Sequence, residues 1–208
     1  MDKENKVQWV YSSKNEDELT ERYDEWARTY DQDLERDFAY SGPQLAAGYF
    51  KKYVPKDARV LDAGAGTGIV GEVLAKEGYT FLEAMDMSPG MLKEADAKHV
   101  YRALHRRTMG RPLAFKTGEY DAVICVGTLT VGHAPASSLD ELARVTKPGG
   151  YIVFTLRPDV YEKDGFREKQ RELEEAGKWE FVEVSEPTQC MPKGEPDVYH
   201  QVWVYRAK

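Results

Sequence analysis

Val60-Leu61-Asp62-Ala63-Gly64-Ala65-Gly66-Thr67-Gly68 decides the fold. An apolar run ends at an acid, three glycines follow in G-x-G-x-G spacing, and a helical pattern begins. The stretch reads as a strand, a tight turn and a helix N-terminus. Glycine lets the backbone turn sharply and lets a ligand approach main-chain N–H groups closely. A dinucleotide site needs G-x-G-x-x-G, and position 69 is Ile. The spacing therefore favours a nucleoside ligand without a pyrophosphate. Asp62, just before the glycines, would repel a pyrophosphate but can hold an ammonium group.

A second acid strengthens this reading. Asp86 follows Tyr79-Thr80-Phe81-Leu82-Glu83-Ala84-Met85, a predicted second strand. An acid at that strand's tip, about twenty residues past the glycines, suits two ribose hydroxyls. Ser88 can cap the next helix, and Pro89 suits its first position. The glycine turn and the two acids resemble motif I and its neighbour in the class I S-adenosylmethionine-dependent methyltransferases. The resemblance implies S-adenosylmethionine as cofactor, with an ammonium for Asp62. It implies cofactor contacts from Asp62, Gly64, Ala65, Gly66, Gly68 and Asp86, with Met87 beside the adenine. Met109 and Val126 join that set. So does Met91, although a methionine at its position is more often core.

Composition bounds the rest. The chain has 208 residues, 41% hydrophobic and 31% charged, which suits one soluble α/β domain over residues 1–208. Apolar runs are too short to span a bilayer. The charged first residues have no apolar signal core behind them. Cys125 and Cys190 do not make a disulfide framework, and a reducing cytosol is the natural home. The net charge of −7 argues against broad nucleic-acid binding. A monomer is favoured, with the oligomeric state left open.

Along the chain, residues 1–20 read as a loose polar arm that becomes helical near Leu19. Tyr23, Trp26, Ala27 and Tyr30 recur at three- and four-residue steps and define one helical face. That face packs against the core or, with residues 1–40 as arm and lid, covers the cofactor. Aromatics suit a lid because they exclude water and can face a cation. The segment resembles the Tyr-Asp…Tyr-Asp stretch before motif I in many small-molecule methyltransferases, which makes Tyr30 a candidate cofactor contact. A turn at 41–43, a helix over 44–53, strand one, a helix over 69–76, strand two and a helix over 91–98 follow. Residues 98–111 are locally basic, and 103–108 read as a short edge strand. The run 121–126 is nearly continuously apolar, as in a central parallel strand buried on both faces. The loop 127–135 after it should face the transferable methyl. It carries His133, a candidate acid–base residue because histidine titrates near neutrality. A helix over 137–145 stops at Thr146-Lys147-Pro148-Gly149-Gly150, before a strand over 151–156. A charged helix over 164–176 and an antiparallel pair over 179–185 and 199–205 close the chain.

This order predicts a doubly wound, mostly parallel seven-stranded sheet with a C-terminal antiparallel hairpin. Within the superfamily, the Tyr-Asp-x-Trp-Ala stretch, residues 121–127 and Val145-Thr146-Lys147-Pro148-Gly149-Gly150 resemble the Williams–Beuren-syndrome-region methyltransferase-like proteins. The expected function is methylation of a small-molecule acceptor. Two other readings stay open. One is a protein or RNA methyltransferase that docks through the basic strip. The other is a catalytically silent S-adenosylmethionine-binding module. No Cys/His metal spacing is present.

Overall fold

The apolar runs read as strands assemble into one seven-stranded sheet. The computed structural model describes residues 5–130 and 132–208; residues 1–4 of the predicted arm and Val131 of the predicted methyl-facing loop lie outside them. The strands are β1 (Val60–Ala63), β2 (Leu82–Asp86), β3 (Tyr101–Arg106), β4 (Tyr120–Cys125), β5 (Thr146–Leu156), β6 (Trp179–Val184) and β7 (Gln201–Ala207). Their order is β3-β2-β1-β4-β5-β7-β6. β1 to β5 pair in parallel, and β7 runs antiparallel between β5 and β6. The order reverses between β1 and β4, which is where a doubly wound sheet opens a crevice at its carboxyl edge.

Alternation along the central strands explains why both faces are covered. Leu61, Val123, Cys125, Ile152 and Phe154 point to one face. There they meet Leu139, Leu142 and Val145 of α7 (Ser138–Val145) and Leu173 of α9 (Phe166–Glu175). Val60, Ala122, Ile124 and Val153 point to the other face. They meet Ala46, Ala47 and Phe50 of α4 (Gly42–Tyr53) and Val70 and Leu74 of α5 (Ile69–Lys76). Each large side chain buried this way contributes about 1.5–3 kcal/mol. The helix α6 (Pro89–Ala97) follows β2, capped by the Ser88 hydroxyl, which accepts from the Met91 N–H at 2.9 Å.

Three elements differ from the sequence reading. The arm is not loose: α1 (Lys6–Tyr11) is capped by the Asn5 side chain and buries Val7 and Val10. Six residues are too few to signal a helix by periodicity, and tertiary packing stabilises it. β5 starts at Thr146, so Lys147-Pro148-Gly149-Gly150 runs within a strand. The ladder to β4 shifts register there, which tolerates a proline. A short helix, α8 (Pro158–Lys163), precedes α9. β3 lies at the sheet edge, as expected. Among the described residues, no helix is long and apolar enough to cross a membrane.

A third apolar cluster sits over the carboxyl edge. It joins Val7 and Val10 to Leu19 and Trp26 of α2 (Glu16–Trp26), and to Leu34, Phe38 and Met191. Asp33 of α3 (Tyr30–Asp33) ties it together. Its carboxylate accepts from Lys6 Nζ at 2.7 Å, Thr29 Oγ1 at 2.8 Å, Trp26 Nε1 at 2.9 Å and Arg36 at 2.6 Å. Burial opposes the Asp33 charge, but hydrogen bonds from Lys6, Thr29 and Trp26 outweigh it and hold the pKa down at about 2. A depressed carboxyl stabilises the fold above its unfolded pKa of about 3.9 and loses that contribution as pH falls toward 2. Asp33→Asn is expected to cost on the order of 2 kcal/mol at pH 7. In urea melts the deficit should shrink steadily from pH 4 to pH 2.5; a deficit independent of pH would mean that the charge of Asp33 is not what stabilises the cluster.

Candidate functional site

The turn after β1 needs its glycines for two different reasons. Gly64 has φ of +75°, and a Cβ there would collide with the Thr128 side chain. Gly66 has φ of +54°, and the space beside it is open. Its N–H donates to Asp86 Oδ2 at 2.9 Å, so the turn and the tip of β2 are held together. Ser88 N–H donates to Asp86 Oδ1, also at 2.9 Å. Burial raises the Asp86 pKa, against the opposing pull of the Ser88, Gly66 and Met87 N–H groups.

A cavity of about 140 Å³ opens at this carboxyl edge. Its floor is Gly64, Ala65, Gly66 and Thr67 after β1, Asp86 and Met87 after β2, Arg107 to Met109 after β3, and Val126 to Thr128 after β4. Met91 lines it from α6 and His133 from the loop after β4. The roof is the third cluster, with Tyr11, Tyr23, Trp26, Tyr30 and Tyr40 turned inward. Sequence and structure therefore bring together Tyr30, Gly64, Ala65, Gly66, Asp86, Met87, Met91, Met109, Val126 and His133.

Asp62 and Gly68 sit behind the cavity and do not line it. Gly68 occupies the N-cap position of α5. Asp62 is buried beneath the turn, where Tyr101 donates to its Oδ2 at 2.5 Å and its Oδ1 has no partner. Burial pushes the Asp62 pKa up to about 7, with the Tyr101 hydrogen bond pulling it down and Asp86 pushing it up. A buried carboxylate with an unpartnered oxygen favours a nearby cation.

The Tyr-Asp pairs divide their labour. Tyr23 and Tyr30 face the cavity, while the acid after each binds the sheet domain. Asp24 accepts from the Ser88 hydroxyl and from Gly90 N–H at the start of α6. Asp31 accepts from the Thr67 hydroxyl and from Lys98, which also pairs with Glu72. The aromatic rings then pack edge to face: Trp26 and Tyr30 are 4.6 Å apart between centroids, and Tyr11 and His133 are 5.0 Å apart. Tyr23 Oη lies 2.8 Å from His133 Nε2. Burial pushes the Tyr23 phenol well above its ordinary range, and Tyr30, Tyr11 and Asp86 add to the shift, so it keeps its proton.

Two cavity residues carry no signal in the sequence. His200 arrives from the segment between β6 and β7, bridged backbone to backbone with Thr188 at 2.8 Å in both directions. It is buried, and its Nδ1 has no partner. Burial lowers its pKa to about 4, and Arg157 adds to that, so the ring is neutral. Tyr11 comes from α1, a helix that periodicity did not indicate.

S-adenosylmethionine fits this donor set. Asp86 is an acceptor for hydroxyls beside an open glycine backbone, and aromatic faces can meet a sulfonium, while Asp62, expected to hold the ammonium, lies behind the lining. When bound, it supplies an electrophilic methyl group on a good leaving group.

Comparison with known proteins agrees with the geometry. A family described as a methyltransferase domain matches residues 61–154. Human methyltransferase-like protein 27 is 38% identical over 165 residues, covering 76% of this chain and 66% of that protein. Bovine 18S rRNA (guanine-N(7))-methyltransferase is 37% identical over 123 residues, covering 53% of this chain and 43% of that protein. The chain thus spans about two thirds or less of the curated relatives it matches. The fold is also that of a TehB-like S-adenosylmethionine-dependent methyltransferase from Corynebacterium glutamicum, with a TM-score of 0.63, 17% identity, and 90% and 99% of the two chains covered. From the glycine turn outward, this chain belongs to the class I S-adenosylmethionine-dependent methyltransferase superfamily.

Proposed function

We propose that the protein transfers a methyl group from S-adenosylmethionine to a small-molecule acceptor held against His133. The observation that carries this reading is the roof. α1 and α2 hold Val7, Val10, Leu19 and aromatic rings over the carboxyl edge, and Asp24 of α2 and Asp31 of α3 pin this cover to α6 and to the glycine turn. A small acceptor fits beneath such a cover, and a polymer would have to displace it. Asp86 and the open face of Gly66 hold the nucleoside. The roof excludes water, a competing nucleophile. Tyr23 orients the His133 ring, and the proton that a hydroxyl acceptor must lose passes to the Tyr23 oxygen as Tyr23 gives its own proton to His133 Nε2.

The rRNA-modifying relative motivates the second reading, in which the basic strip docks RNA. Several of that strip's groups are already spent on this chain. Lys98 pairs with Asp31 and Glu72, Arg111 with Glu16, and His105 with Glu83. Arg102 donates to Thr80 O and stacks over Phe81. The negative net charge also opposes phosphate binding.

Ligand choice tests the reading. S-adenosylhomocysteine should raise the melting temperature by mass action, and NAD should not. A shift with NAD and none with S-adenosylhomocysteine would reverse the reading of the glycine spacing. Methylated product should then form from the small-molecule fraction of a cell extract. Product confined to the RNA or protein fraction would replace the small-molecule acceptor.

A further inference from the structure

The roofed end of the cavity has its own chemistry. Its body is apolar: Val7, Val10, Leu19 and Met191 line it. Its polar groups are rings, not ions. Tyr23 and His133 form one hydrogen-bonded pair, and Tyr11 packs edge-on against His133. His200 joins them from the residue before β7, where Gln201 pairs with Leu156 next to Arg157, whose charge acts on both Tyr11 and His200.

The charges that line the cavity lie elsewhere or are already paired. Asp86 is held by the Gly66 and Ser88 N–H groups at the nucleoside end. Arg107 lies at that end too: its backbone N–H donates to the Asp86 carbonyl at 3.0 Å, and its guanidinium, whose Nε has no partner, donates to the Arg106 carbonyl and sits over Phe115. Glu16 is half exposed and paired with Arg111. The charge nearest Tyr11 and His200, Arg157, is already paired with Asp159 at 2.7 Å, so a cationic amine or an anionic carboxylate brought under the roof would lose its hydration without gaining an uncommitted counterion there, which is costly. An uncharged acceptor avoids that cost. An aromatic one also gains edge-to-face contacts with the rings already there.

His200 then has a role. It is 8% exposed, its ring is neutral, and its Nδ1 lacks a partner. Both backbone groups are fixed by the bridge to Thr188, which anchors the main chain from which the ring projects. An imidazole nitrogen left without a hydrogen bond in a buried place costs free energy that a bound polar group would recover. We propose that His200 selects the acceptor, and that the acceptor is an uncharged phenol whose hydroxyl bonds to His200 and whose ring lies on the apolar roof. This rests on the small-molecule reading above. His133 and His200 therefore divide the work, the first taking a proton and the second choosing what enters.

Binding can be read without turnover. The full chain, saturated with S-adenosylhomocysteine, is titrated with 4-methylphenol, toluene, 4-methylbenzylamine and 4-methylbenzoate. The phenol is expected to bind about tenfold tighter than toluene, the effect of one buried hydrogen bond. It should also bind more tightly than either charged analogue. His200→Phe should erase most of the phenol preference while S-adenosylhomocysteine binds within about twofold of wild type, which doubles as the check on folding. His200→Gln, which keeps a polar group, should recover part of it. Equal binding of phenol and toluene, a preference for the amine or the carboxylate, or a His200→Phe protein that keeps the preference would each overturn the proposal. Failure of wild type to bind S-adenosylhomocysteine would instead overturn the methyltransferase reading beneath it.

Discussion

Asp86→Ala is expected to weaken S-adenosylhomocysteine binding by roughly 1.5–3 kcal/mol, about ten- to a hundredfold. Two losses combine. The first is the charge-assisted pair of hydrogen bonds that the ribose hydroxyls donate to Asp86 in the proposed binding mode. The second is internal: Gly66 and Ser88 N–H groups lose the carboxylate that holds the turn against the tip of β2. Gly66 borders the cavity, where water can replace the missing oxygen, so stability should fall less than affinity. Asp86→Asn keeps the shape and one carbonyl oxygen, and should lie between the two. Calorimetric titration measures all three proteins. Unchanged affinity in Asp86→Ala would remove Asp86 from the site.

Trp26→Ala should have the largest effect on the roof, about 3–5 kcal/mol, as for other buried tryptophans cut to alanine. Trp26 is 2% exposed, packs edge-on against Tyr30, and donates to Asp33. The cluster around it is separate from the two cores that flank the sheet. Its loss should therefore appear as local opening of α1 and α2, with the sheet still folded. Hydrogen exchange would show amides of residues 16–33 exchanging fast in the variant, and S-adenosylhomocysteine affinity should drop with them. In wild type the same amides should be slowed further by ligand, as the proposed closure of the roof over the cofactor requires. Uniform destabilisation of sheet and roof together would place Trp26 in the main core. Equal, strong protection with and without ligand would make α2 fixed structure and leave Tyr30 no claim as a gate.

The local sequence around the glycine turn determined a great deal. Parallel strands buried on both faces must be continuously apolar, so Val60-Leu61 and residues 122–126 were legible as strands without partners in view. A left-handed turn beside a ligand demands glycine, so Gly64 and Gly66 were legible as backbone requirements. The acid at the tip of β2 followed from the spacing between elements. The three-and-four spacing of Tyr23, Trp26 and Tyr30 foretold one aromatic face, although a 3₁₀ turn at Ala27–Thr29 interrupts the helix.

Tertiary structure decided the rest, and for one reason: those features are contacts between segments that share no local period. Asp62 turned out to sit behind the turn because Tyr101 of β3 reaches across to it. Asp24 and Asp31 are ordinary helix-surface acids in sequence, and become latches only when α2 and α3 lie on Ser88, Gly90, Thr67 and Lys98. α1 exists because Val7 and Val10 find the roof cluster, which six residues of sequence cannot announce. His200 reaches the cavity because β7 inserts antiparallel between β5 and β6, carrying the preceding segment back to the carboxyl edge. Strand insertion is a property of the whole sheet, and no residue near position 200 records it.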